Sequence, residues 1–179
     1  MRQDAQDNYN SIKTTAAALF EMYGVEQVSM NQIAQTLQIG AGTLYRHFKD
    51  KGVLCFSLLE EDFDHLFTSF DHIQSSDKDK REQLSEMLTL MLEFKRDNED
   101  LLLCIEKHEM RSLFKETDYY KTLYQYFETI FASHDQPQFK TDMLLNALTT
   151  RSYQYQTHFR HVDLDTFKSN LMALFYPYS

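Results

Sequence analysis

Residues 29–54 read SMNQIAQTLQIGAGTLYRHFKDKGVL and gather the side chains of this chain best suited to contacting a nucleic acid duplex. Thr43 offers a hydroxyl to a phosphate oxygen and a methyl to a thymine. Tyr45 and His47 are donors that fix register on a phosphate backbone without reading sequence. Arg46 reaches a guanine edge or a phosphate, and Lys51 suits another phosphate. Ala41 and Gly42 are small and let the start of this segment lie deep in a groove. The candidate DNA-facing set is therefore Ala41, Gly42, Thr43, Tyr45, Arg46, His47 and Lys51, with Leu44 and Phe48 left to point into a core. This is the layout of a helix-turn-helix, in which one helix braces and the next enters the major groove.

Three helices must position that set. The first is predicted over about 7–23, where Ile12, Ala16, Leu19, Phe20 and Tyr23 form one apolar stripe and Gly24 supplies a left-handed C-terminal residue. Ser29 with Gln32 three positions later is a capping box that opens the second helix. Its inward face is Met30, Ile33, Ala34 and Leu37, and the small Ala34 permits a close crossing. Ile39 fills the turn, Gly40 is a weak N-cap, and the recognition helix covers about 41–47.

The net charge of −9 is unevenly placed. Residues 1–55 hold five Lys/Arg and five Asp/Glu, so the acidity resides in the remainder. Arg46, Lys49 and Lys51 cluster beside His47, with Asp50 opposing. A locally positive edge on an acidic chain suits selective, salt-sensitive docking on double-stranded DNA rather than indiscriminate coating. Cys55 and Cys104 fall inside predicted helices without metal spacing and read as small buried apolar groups in a reducing cytosol. His158 and His161 lie three apart near Asp163, but with no HExxH pattern they read as surface groups, so no metal and no cofactor is expected. No nucleophile elbow, P-loop or GxGxxG is present, and the chain reads as no enzyme. It carries no secretory signal and no apolar run near the ~20 residues that cross a bilayer, which predicts a cytoplasmic protein with no membrane partner.

The run Ile33-Ala34, Ile39, Gly42-Thr43-Leu44-Tyr45, His47-Phe48, Lys51 and Leu54 resembles the signature of the TetR family of bacterial transcriptional regulators, over about residues 9–55. The resemblance implies an all-α fold: a three-helix DNA-binding head over residues 1–50 and a six-helix body over 51–179 that binds a small effector and dimerises. It carries the DNA-facing role to Ala41, Thr43, Tyr45, His47 and Lys51. Two positions depart from the family pattern. Gln38 stands where glycine is common in the turn, and Gly40 where serine or threonine caps the recognition helix. Gln38 is expected to take a strained backbone.

All four glycines precede residue 53, so the body has almost no helix breakers. Helices are predicted over about 51–73, 81–96, 99–114, 118–133, 138–158 and 163–175, with a polar loop at 74–81. Aromatic and methionine side chains between 63 and 131 make Phe63, Phe67, Met87, Met91, Tyr119, Tyr124 and Phe127 the candidate lining of a pocket for a small apolar or aromatic effector, with plain core as the competing reading. The last two helices match, by order, the family's dimerising pair. Leu144, Leu145, Leu148, Tyr155 and Phe159 on one, and Leu164, Phe167, Leu171, Leu174 and Phe175 on the other, are the candidate homodimer surface, because a two-fold DNA reader needs paired heads. The expectation is a ligand-responsive repressor of a two-fold operator. The alternative is a coactivator or adaptor of the same fold that no longer binds DNA, suggested by the neutral head and by Gln38.

Overall fold

The computed structural model describes residues 2–107 and 114–177, with side chains from residue 6 onward. Among these residues every regular element is helical: α1 Arg2–Tyr23, α2 Met30–Thr36, α3 Ala41–His47, α4 Lys51–Leu58, α5 Glu60–Gln74, α6 Lys80–Asp97, α7 Glu99–Lys107, α8 Asp118–Phe131, α9 Pro137–Ala147, α10 Thr150–Gln154, a π-turn Tyr155–Phe159, and α11 Leu164–Phe175. The all-α class expected from the sequence is found. The chain divides into two compact units, Met1–Glu61 with Asp100–Leu113, and Asp62–Glu99 with Phe114–Ser179.

In the first unit α1 packs on α2 and α4, and α2 packs on α3. Ile12, Ala16, Phe20, Val28, Met30, Ile33, Ala34, Leu44 and Phe48 close its interior. The α1 stripe is narrower than its periodicity suggests, since Leu19 is half-buried and Tyr23 faces solvent. Gly24 ends α1 at φ +84°, donating its N–H to the Phe20 carbonyl at 2.8 Å. Ser29 caps α2 as expected, its hydroxyl accepting the Gln32 N–H at 3.2 Å.

The α2–α3 turn is a Schellman arrangement. The Ile39 N–H reaches back to the Ala34 carbonyl at 3.0 Å and the Gln38 N–H to Gln35 at 3.1 Å. Gln38 itself sits at φ +55°, the left-handed conformation expected from the missing glycine. A side chain with a Cβ pays strain there that glycine avoids.

Two of the helices expected after residue 50 are interrupted. The single helix expected over 51–73 is interrupted at Leu59, whose N–H bonds the Phe56 carbonyl at 3.0 Å while the Ser57 hydroxyl donates to the Leu54 carbonyl at 2.8 Å. Such back-bonding by serine bends helices. The helix expected over 138–158 breaks at Thr149, which turns to φ −60°, ψ 151° and caps α10 by accepting the Ser152 N–H at 3.3 Å. Of the helix expected over 99–114, residues 108–113 lie outside the described residues. Asp79, within the stretch expected as a polar loop, opens α6 with a reciprocal capping box to Glu82. In the second unit α6 packs against α8 and α11, and α8 against α9.

Replacing Gln38 with glycine is expected to leave folding stability unchanged or raise it by up to about 1 kcal/mol, because strain relief of about 1–2 kcal/mol is offset by the entropy of glycine, about 0.5–1 kcal/mol. Gln38→Val, β-branched in a left-handed turn, should instead lose about 1–3 kcal/mol. Chemical denaturation midpoints of the two variants against the parent protein check the pair.

Candidate nucleic-acid interface

α3 is a seven-residue helix with one inward residue. Leu44 is fully buried and Phe48, just past its end, nearly so. The opposite side carries the sequence-predicted set. Ala41, Gly42 and Arg46 are exposed, Tyr45 is 46% exposed, and Thr43 and His47 are half-buried at the surface. Gly40 caps the helix with its backbone alone, its carbonyl accepting from Thr43 at 2.9 Å and Leu44 at 3.3 Å. No Cβ neighbour crowds Gly40 or Gly42 within 4 Å, so this end of the helix is open to an approaching surface.

The cationic groups are held close. The Arg46 guanidinium folds along its own helix, Nε donating to the Gly42 carbonyl at 3.2 Å and Nη2 to the Thr43 hydroxyl at 3.3 Å. Two candidate contacts are thus tied into one donor cluster. His47 lies edge-on to Tyr9 at 6.4 Å, and Tyr9 stacks on Phe48 at 4.9 Å. Burial, and then the charge of Glu60, raises the Tyr9 pKa, so its phenol stays neutral beneath His47.

Lys51 differs from expectation. Its ammonium donates to the Val25 carbonyl and lies 5.6 Å from the Phe20 ring centre, half-buried inside the first unit. It satisfies the chain just past the end of α1. To meet a phosphate it must first leave that carbonyl.

The other candidate sets divide by burial. Of the expected pocket lining, Phe63, Met87, Met91 and Phe127 are buried in the interior of the second unit, while Phe67, Tyr119 and Tyr124 are half-buried. Phe63, Phe67 and Tyr119 meet as one ring cluster, with centroids 5.5–6.1 Å apart. Phe127 belongs to a separate contact with Phe70 at 6.0 Å. Tyr126, absent from the expected lining, anchors this region: its phenol donates to the Asp71 carboxylate at 2.6 Å, and burial together with that contact drives its pKa far up. Of the expected dimer surface, Leu144, Leu145, Leu148, Phe167, Leu171 and Phe175 are buried within their own unit, because the inner faces of α9 and α11 pack on α8 and α6. Leu164 is half-buried, and Tyr155 and Leu174 are exposed. Phe159, also expected on this surface, is 72% exposed and stacked on Tyr155 at 5.2 Å. The π-turn that holds these two rings has no signature in the hydrophobic period.

Among the described residues no group of histidine, cysteine and carboxylate side chains is placed to hold a metal ion, and no helix is long and apolar enough to cross a membrane. His158 pairs with Glu99 at 3.2 Å.

The description of the bacterial regulatory proteins of the tetR family matches residues 12–58, which span α1 to α4. An HTH-type transcriptional regulator of Staphylococcus aureus strain USA300 is 38% identical over 177 residues, covering 98% of this chain and 96% of its own length. The fold resembles that of a TetR/AcrR-family regulator from Thermobifida fusca, with a TM-score of 0.66 at 17% identity over 97% of this chain and 99% of that one. It also resembles Thermus thermophilus FadR, a TetR-family repressor solved with lauroyl-CoA, with a TM-score of 0.73 at 14% identity over 96% and 95% of the two chains. The exposed face of α3, the braced turn before it and this likeness along nearly the whole chain have one reading: the protein is a transcriptional regulator, not an enzyme, and belongs to the TetR family.

Proposed function

We propose that this regulator is a homodimeric repressor whose α3 enters the major groove of a two-fold DNA operator, and that a small apolar or aromatic effector bound in the body releases it. The observation that carries the DNA half is the one-sidedness of α3: Leu44 is buried, while Ala41, Gly42, Tyr45 and Arg46 face solvent and Thr43 and His47 sit at the surface. Residues 1–50 are the DNA-binding head and 51–179 the effector-binding and dimerising part in this reading, and the protein works in the cytoplasm with its DNA. Tyr45 and His47 hold register on phosphates, Thr43 and Arg46 approach together as a linked donor pair, and Lys51 exchanges the Val25 carbonyl for a phosphate on docking.

The dimer is assigned to the apolar side chains that the second unit leaves outside: Tyr155, Phe159, Leu164 and Leu174. The buried leucines behind them hold the helices that present this surface. The effector enters beside the half-buried rings Phe67, Tyr119 and Tyr124, where aromatic faces suit an apolar or flat ligand. The acyl-CoA bound by Thermus FadR marks one ligand class to try first. Coupling between effector and DNA of ~1–3 kcal/mol would lower operator affinity about 5–150-fold.

Tyr45→Ala is expected to weaken binding to all DNA sequences alike, by about tenfold or more, as for a lost hydrogen bond to a charged group. Lys51→Ala should also lower the salt slope by about one ion. Fluorescence anisotropy on genomic upstream fragments at several salt concentrations reads both; unchanged affinity in the two variants would remove α3 from the interface, and no specific binding by the parent protein would favour the adaptor reading.

Leu174→Glu or Phe159→Glu is expected to yield a folded monomer, whereas Leu144→Ala should lose about 2–5 kcal/mol of stability. Light scattering with circular dichroism separates the two effects, and dimers persisting in both glutamate variants would move the interface elsewhere. Lauroyl-CoA added to the protein–DNA complex is expected to release the DNA, and Tyr119→Ala to blunt that response. A release that is equal in the variant would remove the ring cluster from the ligand site.

A further inference from the structure

The second unit holds a groove that neither the DNA face nor the ring cluster uses. It lies between α6 and α11, which pack on each other, and opens a cavity of about 370 Å³. Arg81 and Ser85 of α6 line one wall, and Lys168 and Ser169 of α11 the other. Met172, Ala173 and Pro177 supply the apolar part. The unit is acidic, with 17 Asp/Glu against 11 Lys/Arg, yet among the described residues the charged groups lining this cavity are both cations.

Helical spacing puts these groups on facing rows. Arg81, Ser85 and Thr89 follow one another at four-residue intervals on α6, as Lys168 and Met172 do on α11. One bridge fixes how the rows meet. The Lys168 ammonium donates to the Thr89 hydroxyl at 3.2 Å, and that hydroxyl donates to the Ser85 carbonyl at 3.0 Å. The ammonium is thereby held against α6 within about a turn of Ser85, on a side chain only 25% exposed. The nearby acids are engaged elsewhere or lie out in solvent. Glu82 closes the capping box with Asp79, and Glu86 pairs with Lys78 at 2.5 Å. Asp165 is 3.7 Å from Lys168 but 95% exposed, and an ion pair so open to water holds the ammonium weakly.

These donors match one kind of group. The guanidinium has five N–H donors in a planar fork, enough to serve an oxyanion beside the partner Arg81 already has. The ammonium and two serine hydroxyls add donors from other directions. Two positive charges balance the charge of about −2 on a phosphate monoester, with its three acceptor oxygens, better than the single charge of a carboxylate. The cavity falls within the roughly 300–1,000 Å³ of small-molecule sites, so phosphate alone would leave its apolar side unfilled.

We propose that this groove binds a small organic phosphate monoester, with the phosphate between Arg81 and Lys168 and the apolar part against Met172, Ala173 and Pro177. The ligand joins α6 to α11 and so stabilises the second unit. The site is separate from the two proposed above. It shares no residue with the rings assigned to the apolar effector. Successive helical residues turn by about 100°, so Lys168 and Met172 stand about 120° and 160° around α11 from Leu174, which was assigned to the dimer surface. The inference therefore rests on neither the operator nor the effector.

The test titrates the full-length protein with phenyl phosphate, inorganic phosphate or benzoate at fixed ionic strength, by isothermal titration calorimetry with thermal melting alongside. Phenyl phosphate is expected to bind at one per chain, about tenfold or more tighter than either of the others, and to raise the melting temperature. Lys168→Met keeps the apolar stem, and Ser169→Asp brings a negative charge to the wall. Each should weaken phenyl phosphate about tenfold or more while keeping the parent helicity by circular dichroism. Ser169 is exposed, so its variant carries the test if Lys168→Met fails to fold. Lys121→Gln, which removes an exposed cation elsewhere in the unit, should leave the affinity unchanged. No binding by the parent protein, unchanged affinity in Ser169→Asp, or an equal loss in Lys121→Gln would overturn the site. Benzoate bound as tightly as phenyl phosphate would overturn the phosphate assignment, and inorganic phosphate bound as tightly would overturn the role of the apolar wall.

Discussion

Much of the head depends on how the chain reverses between α2 and α3. Three residues, Leu37, Gln38 and Ile39, must turn a bracing helix into one that presents its outer face. Backbone hydrogen bonds from Gln38 and Ile39 into the last turn of α2 set the exit direction. Ile33, Ala34 and Leu44 then lock the crossing from inside. If the turn opened, Leu44 would lose its seat, and the outward direction of Tyr45 and Arg46 would go with it. A glutamine tolerates the left-handed position because burial on both sides over-determines the geometry, so local strain is absorbed by packing.

The same head keeps its charge in reserve. Arg46 is bound to its own helix through Gly42 and Thr43, and Lys51 to the Val25 carbonyl just past α1. A cation held in this way does not cling to any polyanion. It must exchange one acceptor for another, and the exchange is favourable only when the phosphate sits at the right distance. On the proposed reading, holding Arg46 and Lys51 in this way makes non-specific contacts poor, and discrimination comes partly from that.

The elements read correctly from sequence were those with a local signal. Ser29 and Gln32 announce a helix start, the Met30–Ile33–Ala34 spacing gives its inner face, with Leu37 half-buried at its end, and Gln38 in place of glycine foretells the left-handed turn. The breaks at Leu59 and Thr149 were missed because each depends on a side chain choosing a backbone partner within a run that is otherwise helical. Lys51 looked like a surface cation because a lysine gives no sign, in sequence, that a carbonyl waits beside it. The candidate pocket and dimer residues were chosen by apolar spacing, which marks a buried face but is blind to whether that face is covered by the same chain. Phe63 and Leu144 are both buried within this chain. Cys55 and Cys104 are buried too, as expected of small apolar groups inside helices.

The π-turn at Tyr155–Phe159 has an evolutionary consequence. A π-turn is an α-helix carrying one extra residue, and its widened ring holds Tyr155 against Phe159 on the outside of the second unit. Removing a single residue there would restore ordinary helical winding within the segment and turn its side chains relative to one another by roughly 100° about the axis. Tyr155 and Phe159 would part, and the outer surface of the second unit would change its shape at that point. On the proposed reading, one codon lost there is enough to alter which surfaces fit together.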